Sequence, residues 1–74
     1  NMDIFIKEYN AKVKTLEFVK KAYGKCNFGS VDSSYQYLLG YANALYDCGL
    51  ITSIDLQKAF DITEKLFEEF KELL

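Results

Sequence analysis

Apolar residues recur along this chain at spacings of three and four, in three blocks punctuated by glycine. That periodicity places one residue in every helical turn on a common face. In the first block, Ile6, Tyr9, Val13, Leu16 and Tyr23 make one stripe and predict a helix over about residues 3–23. Asp3 is its expected N-cap and Gly24 its C′ residue. In the second block, Tyr35, Leu38, Leu39, Ala42, Leu45 and Tyr46 predict a helix over about 32–48, capped by Ser30 or Asp32 and ended by Gly49. The third block opens on Ile51-Thr52-Ser53-Ile54-Asp55-Leu56. Thr52 can cap and the Asp55 carboxylate can reach back to it, while Ile51 can pack on Leu56 as a hydrophobic staple. This helix is expected over 53–74, with Leu56, Ala59, Phe60, Leu66, Phe67, Phe70, Leu73 and Leu74 facing the core. No segment alternates with period two. The expected fold is all-α, one domain over 1–74: a three-helix bundle in which the short Gly49–Thr52 link makes helices two and three an antiparallel hairpin.

Two helices carry more apolar surface than one core face requires. On helix one, Ile4, Ala11, Phe18 and Ala22 lie nearly opposite Val13, beside a narrow strip of Lys7, Lys14, Lys21 and Glu17. On helix two, Tyr37, Tyr41, Ala44 and Cys48 widen the apolar arc to roughly 220°. Gly40, inside that helix, would permit close approach of another helix. Either helix two is central and covered on both sides, or Phe18, Tyr37 and Tyr41 belong to a partner or self-association surface. Helix three instead has an acidic outer face of Asp61, Glu64, Glu68 and Glu72.

Composition narrows the chemistry. Seventy-four residues form a small core that supplies only about 3–5 kcal/mol, so reinforcement is to be looked for. The two cysteines, Cys26 and Cys48, have no CxxC spacing and no histidine to join them in a zinc site. A bridge between them would have to fold back along most of a helix about 25 Å long, so free thiols are expected. Homodimerisation is then the leading reinforcement. All nine basic residues are lysine, and the net charge is −2. Without arginine the bidentate reader of phosphate and guanine is missing, which argues against direct nucleic-acid binding. Charge is also unevenly spread: residues 1–31 hold six Lys against three acids, and residues 32–74 hold three Lys against eight acids. No run approaches a membrane span of about 20 apolar residues. The first residues lack the charged and apolar regions of a signal peptide, so a cytoplasmic location in a bacterial host is expected. Asn1 ahead of Met2 reads as a foreign extension and is left out of the fold reasoning.

Catalytic arrangements are hard to assemble from these residues. Gly24-Lys25-Cys26-Asn27-Phe28-Gly29-Ser30 has the glycine spacing of a phosphate loop but no Lys after the second glycine, and no strand precedes it. Neither cysteine has a base proposed by its spacing. The Glu64–Glu68 and Glu68–Glu72 pairs suit a solvated helix face. Lys7, Lys14 and Lys21 repeat every seven residues, but three lysines alone give only weak, salt-sensitive binding to a polyanion. The chain is therefore expected not to be an enzyme, with no catalytic residues, cofactor, metal or small-molecule substrate. Carboxylates about 6 Å apart along a helix face can imitate a phosphate track, which opens an alternative: an acidic DNA mimic occupying a DNA-binding channel.

In size, in its Lys/Tyr/Asn-rich composition, and in the hairpin from Leu39-Gly40-Tyr41 to Gly49-Leu50-Ile51-Thr52, the chain resembles the small helical proteins of bacteriophages that infect AT-rich Gram-positive hosts. Such proteins bind and disable a host factor of replication, transcription or defence; a sliding-clamp inhibitor of similar length is among them. The resemblance implies a non-enzymatic inhibitor or adaptor acting on a host protein. It assigns no residue a role. The partner-binding residues expected from the surfaces above are Phe18, Tyr37, Tyr41, Asp61, Glu64, Glu68 and Glu72. A structural homo-oligomer or weak nucleic-acid binder is the remaining alternative.

Overall fold

The computed structural model has three helices, α1 (Asp3–Tyr23), α2 (Phe28–Asp47) and α3 (Ser53–Lys71). It describes residues 1–71, so the expected core positions Leu73 and Leu74 and the expected site residue Glu72 lie outside the described residues. There is no strand among the described residues. The helices form a three-helix bundle in which α2 is central. Its antiparallel pairing with α3 is the most extensive contact, and α1 lies more against α2 than against α3.

Local chemistry sets the ends. Gly24 adopts a left-handed φ of 81° and its N–H donates to the Lys20 carbonyl at 2.7 Å, closing α1. Gly49 has φ 73°. Its N–H donates to the Tyr46 carbonyl, and that of Leu50 to the Leu45 carbonyl, each at 2.9 Å. That pair of bonds is a Schellman stop, which needs a residue tolerant of positive φ. The start of α3 follows the expected capping box. The Asp55 N–H donates to Thr52 Oγ1 at 3.1 Å, and the Thr52 N–H donates to Asp55 Oδ2 at 3.4 Å.

Two expected caps are corrected. Asp3 is not the N-cap of α1 but its first residue; Met2 precedes it with helical backbone angles. The Asp3 N–H donates to Asn1 Oδ1 at 2.9 Å, so Asn1 contributes to the helix start rather than standing apart from it. Likewise, α2 begins four residues before Asp32. Its cap is Asn27, in extended conformation, whose Oδ1 accepts from the Ser30 N–H at 2.7 Å. Gly29 therefore belongs to the first turn instead of the loop. A β-carbon there would sit 3.3 Å from Asn27 Oδ1, so glycine leaves room for the cap.

Among the described residues the core consists of Phe5, Leu16, Cys26, Val31, Leu38, Ala42, Leu45, Ile51, Ala59, Leu66 and Phe70. On α1 the buried line runs through Phe5 and Leu16, with Tyr9 and Val13 packed beside them. Ile6 and Tyr23, expected in that line, are exposed instead, Tyr23 at 78%. The spacing of Phe5, Tyr9, Val13 and Leu16 is as helical as that of the stripe starting at Ile6, and the larger Phe5 takes the interior. On α2, Leu39 is only half-buried and Tyr46 is exposed, while Val31 and Ser34 are buried. On α3, Thr63 is 1% exposed; its Oγ1 donates to the Ala59 carbonyl at 2.7 Å, which lets a polar side chain fill a core position. Gly40 mediates no close approach: nothing lies within 4 Å of where its β-carbon would be. Cys26 and Cys48 are free thiols, one buried and one exposed. The Cys26 Sγ–H donates to the Leu16 carbonyl at 3.4 Å, tying the α1–α2 loop down onto α1.

Candidate functional site

The expected aromatic surface divides in two. Tyr37 and Tyr41, one turn apart on α2, face α1. Their rings stack with centroids 5.9 Å apart and planes 8° from parallel. Glu8 and Lys12, one turn apart on α1, meet them. The Tyr37 hydroxyl donates to Glu8 Oε1 at 2.6 Å, and Lys12 Nζ stands 4.1 Å from the Tyr37 ring centroid. Tyr37 is thereby held in place while staying 42% exposed, and Tyr41 is half-buried. The bond to Glu8 holds the Tyr37 hydroxyl above its ordinary pKa of 10.0, because a phenolate there would face a carboxylate.

Phe18 is elsewhere. It lies two residues, about 200° of helix, from the buried Leu16, so it points directly away from the core. Its exposure is 69%. The structure thus does not bring Phe18 together with Tyr37 and Tyr41. The end of the bundle where α1 meets α2 exposes two further large rings that the pattern did not single out as surface, Tyr23 and Phe28. Beside them is a cleft of about 400 Å³ lined by Val19, Tyr23, Lys25, Asn27 and Ser30. Tyr23 fits the apolar stripe of α1, and Phe28 falls between two glycines, so periodicity marks neither as surface. Glu8 and Lys12 had a legible signal, an oppositely charged pair four residues apart.

On α3, Asp61, Glu64 and Glu68 are all exposed on one face. Each has a partner. Asp61 Oδ1 accepts from Gln57 Nε2 at 3.1 Å, and Glu68 pairs with Lys71 at 3.5 Å. Glu64 Oε1 accepts the Tyr35 hydroxyl, and the Tyr35 ring packs on Phe67 with centroids 4.6 Å apart. The bond to Glu64 raises the Tyr35 pKa above 10.0. The acidic face therefore reaches the α2–α3 seam at Glu64 and is open to solvent elsewhere.

Among the described residues, no group of three or more His, Cys, Asp or Glu is placed to hold a metal ion, and no helix is long and apolar enough to cross a membrane. Comparison with protein-family models, curated proteins and solved structures finds no match for this chain.

Proposed function

We propose that the chain is a non-enzymatic protein-binding module, an inhibitor or adaptor that acts on a host protein in the manner of the phage proteins it resembles. The observation that carries this reading is the exposure of Phe18, Tyr23 and Phe28, at 69%, 78% and 58%. Rings of this size gain free energy when a partner removes them from water, and aromatic residues dominate interface hot spots. Tyr37, apart from Phe18, is a further exposed ring that Glu8 and Lys12 already hold in place, so little side-chain freedom is lost when a partner covers it.

Affinity capture from a bacterial lysate, followed by titration with the purified captured protein, tests the reading. Phe18→Ser and Tyr23→Ser should abolish saturable binding while helicity by circular dichroism is unchanged. Binding that is unaffected by both substitutions sinks this surface as the site.

The second reading is the DNA mimic, favoured by the three exposed carboxylates of Asp61, Glu64 and Glu68 on one helix face. It predicts that duplex DNA competes with this chain for the captured protein, and that Asp61→Lys with Glu68→Lys removes the competition. A captured protein that binds both at once excludes mimicry.

A further inference from the structure

The outer faces of α1 and α3 have the same geometry and opposite charge. On α1, Ile4, Lys7, Ala11, Lys14, Phe18 and Lys21 follow one another at alternating steps of three and four. On α3, Ile54, Gln57, Asp61, Glu64, Glu68 and Lys71 do the same. All twelve side chains are exposed. Steps of three and four are the seam of a helix that packs along another helix. Both seams lie on the side opposite the core: Phe18 is two residues from Leu16, and Glu68 is two residues from both Leu66 and Phe70. Apart from Glu64, which accepts the Tyr35 hydroxyl of α2, the seam residues take no part in the core.

We propose that the α1 seam of one molecule docks antiparallel on the α3 seam of a second copy. In that direction Lys7 comes opposite Glu68, Lys14 comes opposite Asp61 and Glu64, and Phe18 reaches Ile54. Ile54 and Phe18, at 68% and 69%, are the most exposed large apolar side chains of the two seams, ahead of Ile4 at 46%. The parallel direction is disfavoured because it sets Lys21 against Lys71 and Phe18 against Glu68. Charge complementarity chooses this occupant: three lysines on one seam meet three carboxylates and one lysine on the other. The lysine stems can lie along Phe18 while their ammonium groups reach the carboxylates. Asp3, Glu8 and Glu17 beside the first seam and Lys58 and Lys65 beside the second are flanking charges of opposite sign.

The two seams are different surfaces of the same molecule. The contact is therefore heterologous, and each added copy leaves one free seam of each kind for the next. This differs from a closed dimer. A single helix pair buries less than the roughly 1,200–2,000 Å² of a stable interface, so association is weak and rises with protein concentration. Exposed ion pairs are screened by salt, so it falls as ionic strength increases. The proposal does not rest on the host-partner reading, since the test uses the purified chain alone.

Sedimentation velocity over a concentration series at low salt should show a weight-average mass that climbs past the dimer and returns to monomer in high salt. Lys7→Glu with Lys14→Glu should be monomeric throughout, as should Asp61→Lys with Glu68→Lys. An equimolar mixture of these two variants should associate again, because each restores the other's complement. Both variants keep the core residues, and circular dichroism checks that both keep their helicity. Tyr37→Ala with Tyr41→Ala should associate like the wild type. A wild type that stays monomeric up to millimolar concentration overturns the proposal. So does association that stops at a dimer, survives both charge reversals, or is not restored in the mixture.

Discussion

Leu38 and Leu39 are adjacent, chemically identical and equally apolar, yet the bundle treats them differently. Leu38 is fully buried in the central helix, while Leu39 is only half-buried. Replacing Leu38 by alanine removes three carbon atoms from the core. At about 0.8 kcal/mol per methylene the lost transfer energy is ~2.4 kcal/mol. The void adds up to roughly 2 kcal/mol at ~24 cal/mol per Å³ where neighbours cannot collapse into it. Leu38→Ala should therefore cost about 2.5–4.5 kcal/mol, a large part of the stability of a domain this small. Leu39→Ala loses part of the transfer energy and opens no enclosed void, so it should cost under about 1.5 kcal/mol. Urea unfolding followed by circular dichroism, at concentrations where the chain is monomeric, gives both values. The midpoint should shift with little change in slope. Equal costs at the two positions would show that α2 is rotated from the orientation described here.

Three further outcomes follow from the caps and thiols. Asn27→Ala should lower stability by about 1 kcal/mol through loss of the bond to the Ser30 N–H, with Asn27→Asp largely retaining it in the same unfolding assay. The Thr52 N–H holds the Asp55 pKa below its ordinary value of 3.8. A depressed folded-state pKa contributes stability that is present above the unfolded value and lost as pH falls through the folded one. Wild type should thus be more stable than Asp55→Asn at neutral pH, and the two melting curves should converge as pH drops below that carboxylate range; a constant gap across the whole range refutes the assignment. Finally, a thiol reagent should modify Cys48 in the folded protein and Cys26 only on unfolding, which mass spectrometry of the labelled chain resolves.

The parts of this fold legible in the sequence are those governed by short-range chemistry. Thr52 and Asp55 form the capping box their spacing suggested, and Gly24 and Gly49 stop helices at positive φ. Three periodic blocks became three helices, with α2 and α3 paired. What periodicity did not resolve was the rotation of each helix about its own axis. Ile6 and Phe5 differ by one position, and both begin acceptable stripes; only packing against α2 and α3 decides between them. The start of α2 was misplaced because two glycines looked like loop, whereas the Asn27 side chain overrode that signal. Thr63 was passed over because its own helix supplies the acceptor that makes burial tolerable. Of the candidate surface residues, Tyr37 was legible as surplus, but its lock to Glu8 and Lys12 required two helices to be placed side by side.

That lock has a counterpart, and together they bear on how the helices are aligned lengthwise. Tyr35 and Tyr37 sit two residues apart on α2 and reach in opposite directions, one to Glu64 on α3 and the other to Glu8 on α1. An apolar seam is forgiving of a slide by one helical turn, about 5.4 Å, because one hydrophobic layer then meets the next. Such a slide of α1 would bring Ile4 or Lys12 to the Tyr37 hydroxyl, and neither accepts a hydrogen bond from it. For α3 one direction brings Phe60, which is equally unsuitable, and the other brings Glu68, which is not. The α1 setting is thus pinned both ways. The α3 setting is pinned one way by its tyrosine and is otherwise limited by the short turn through Gly49. Two phenols at one level of the central helix thus act as a vernier, reading the axial position of α1 in both directions and that of α3 in one.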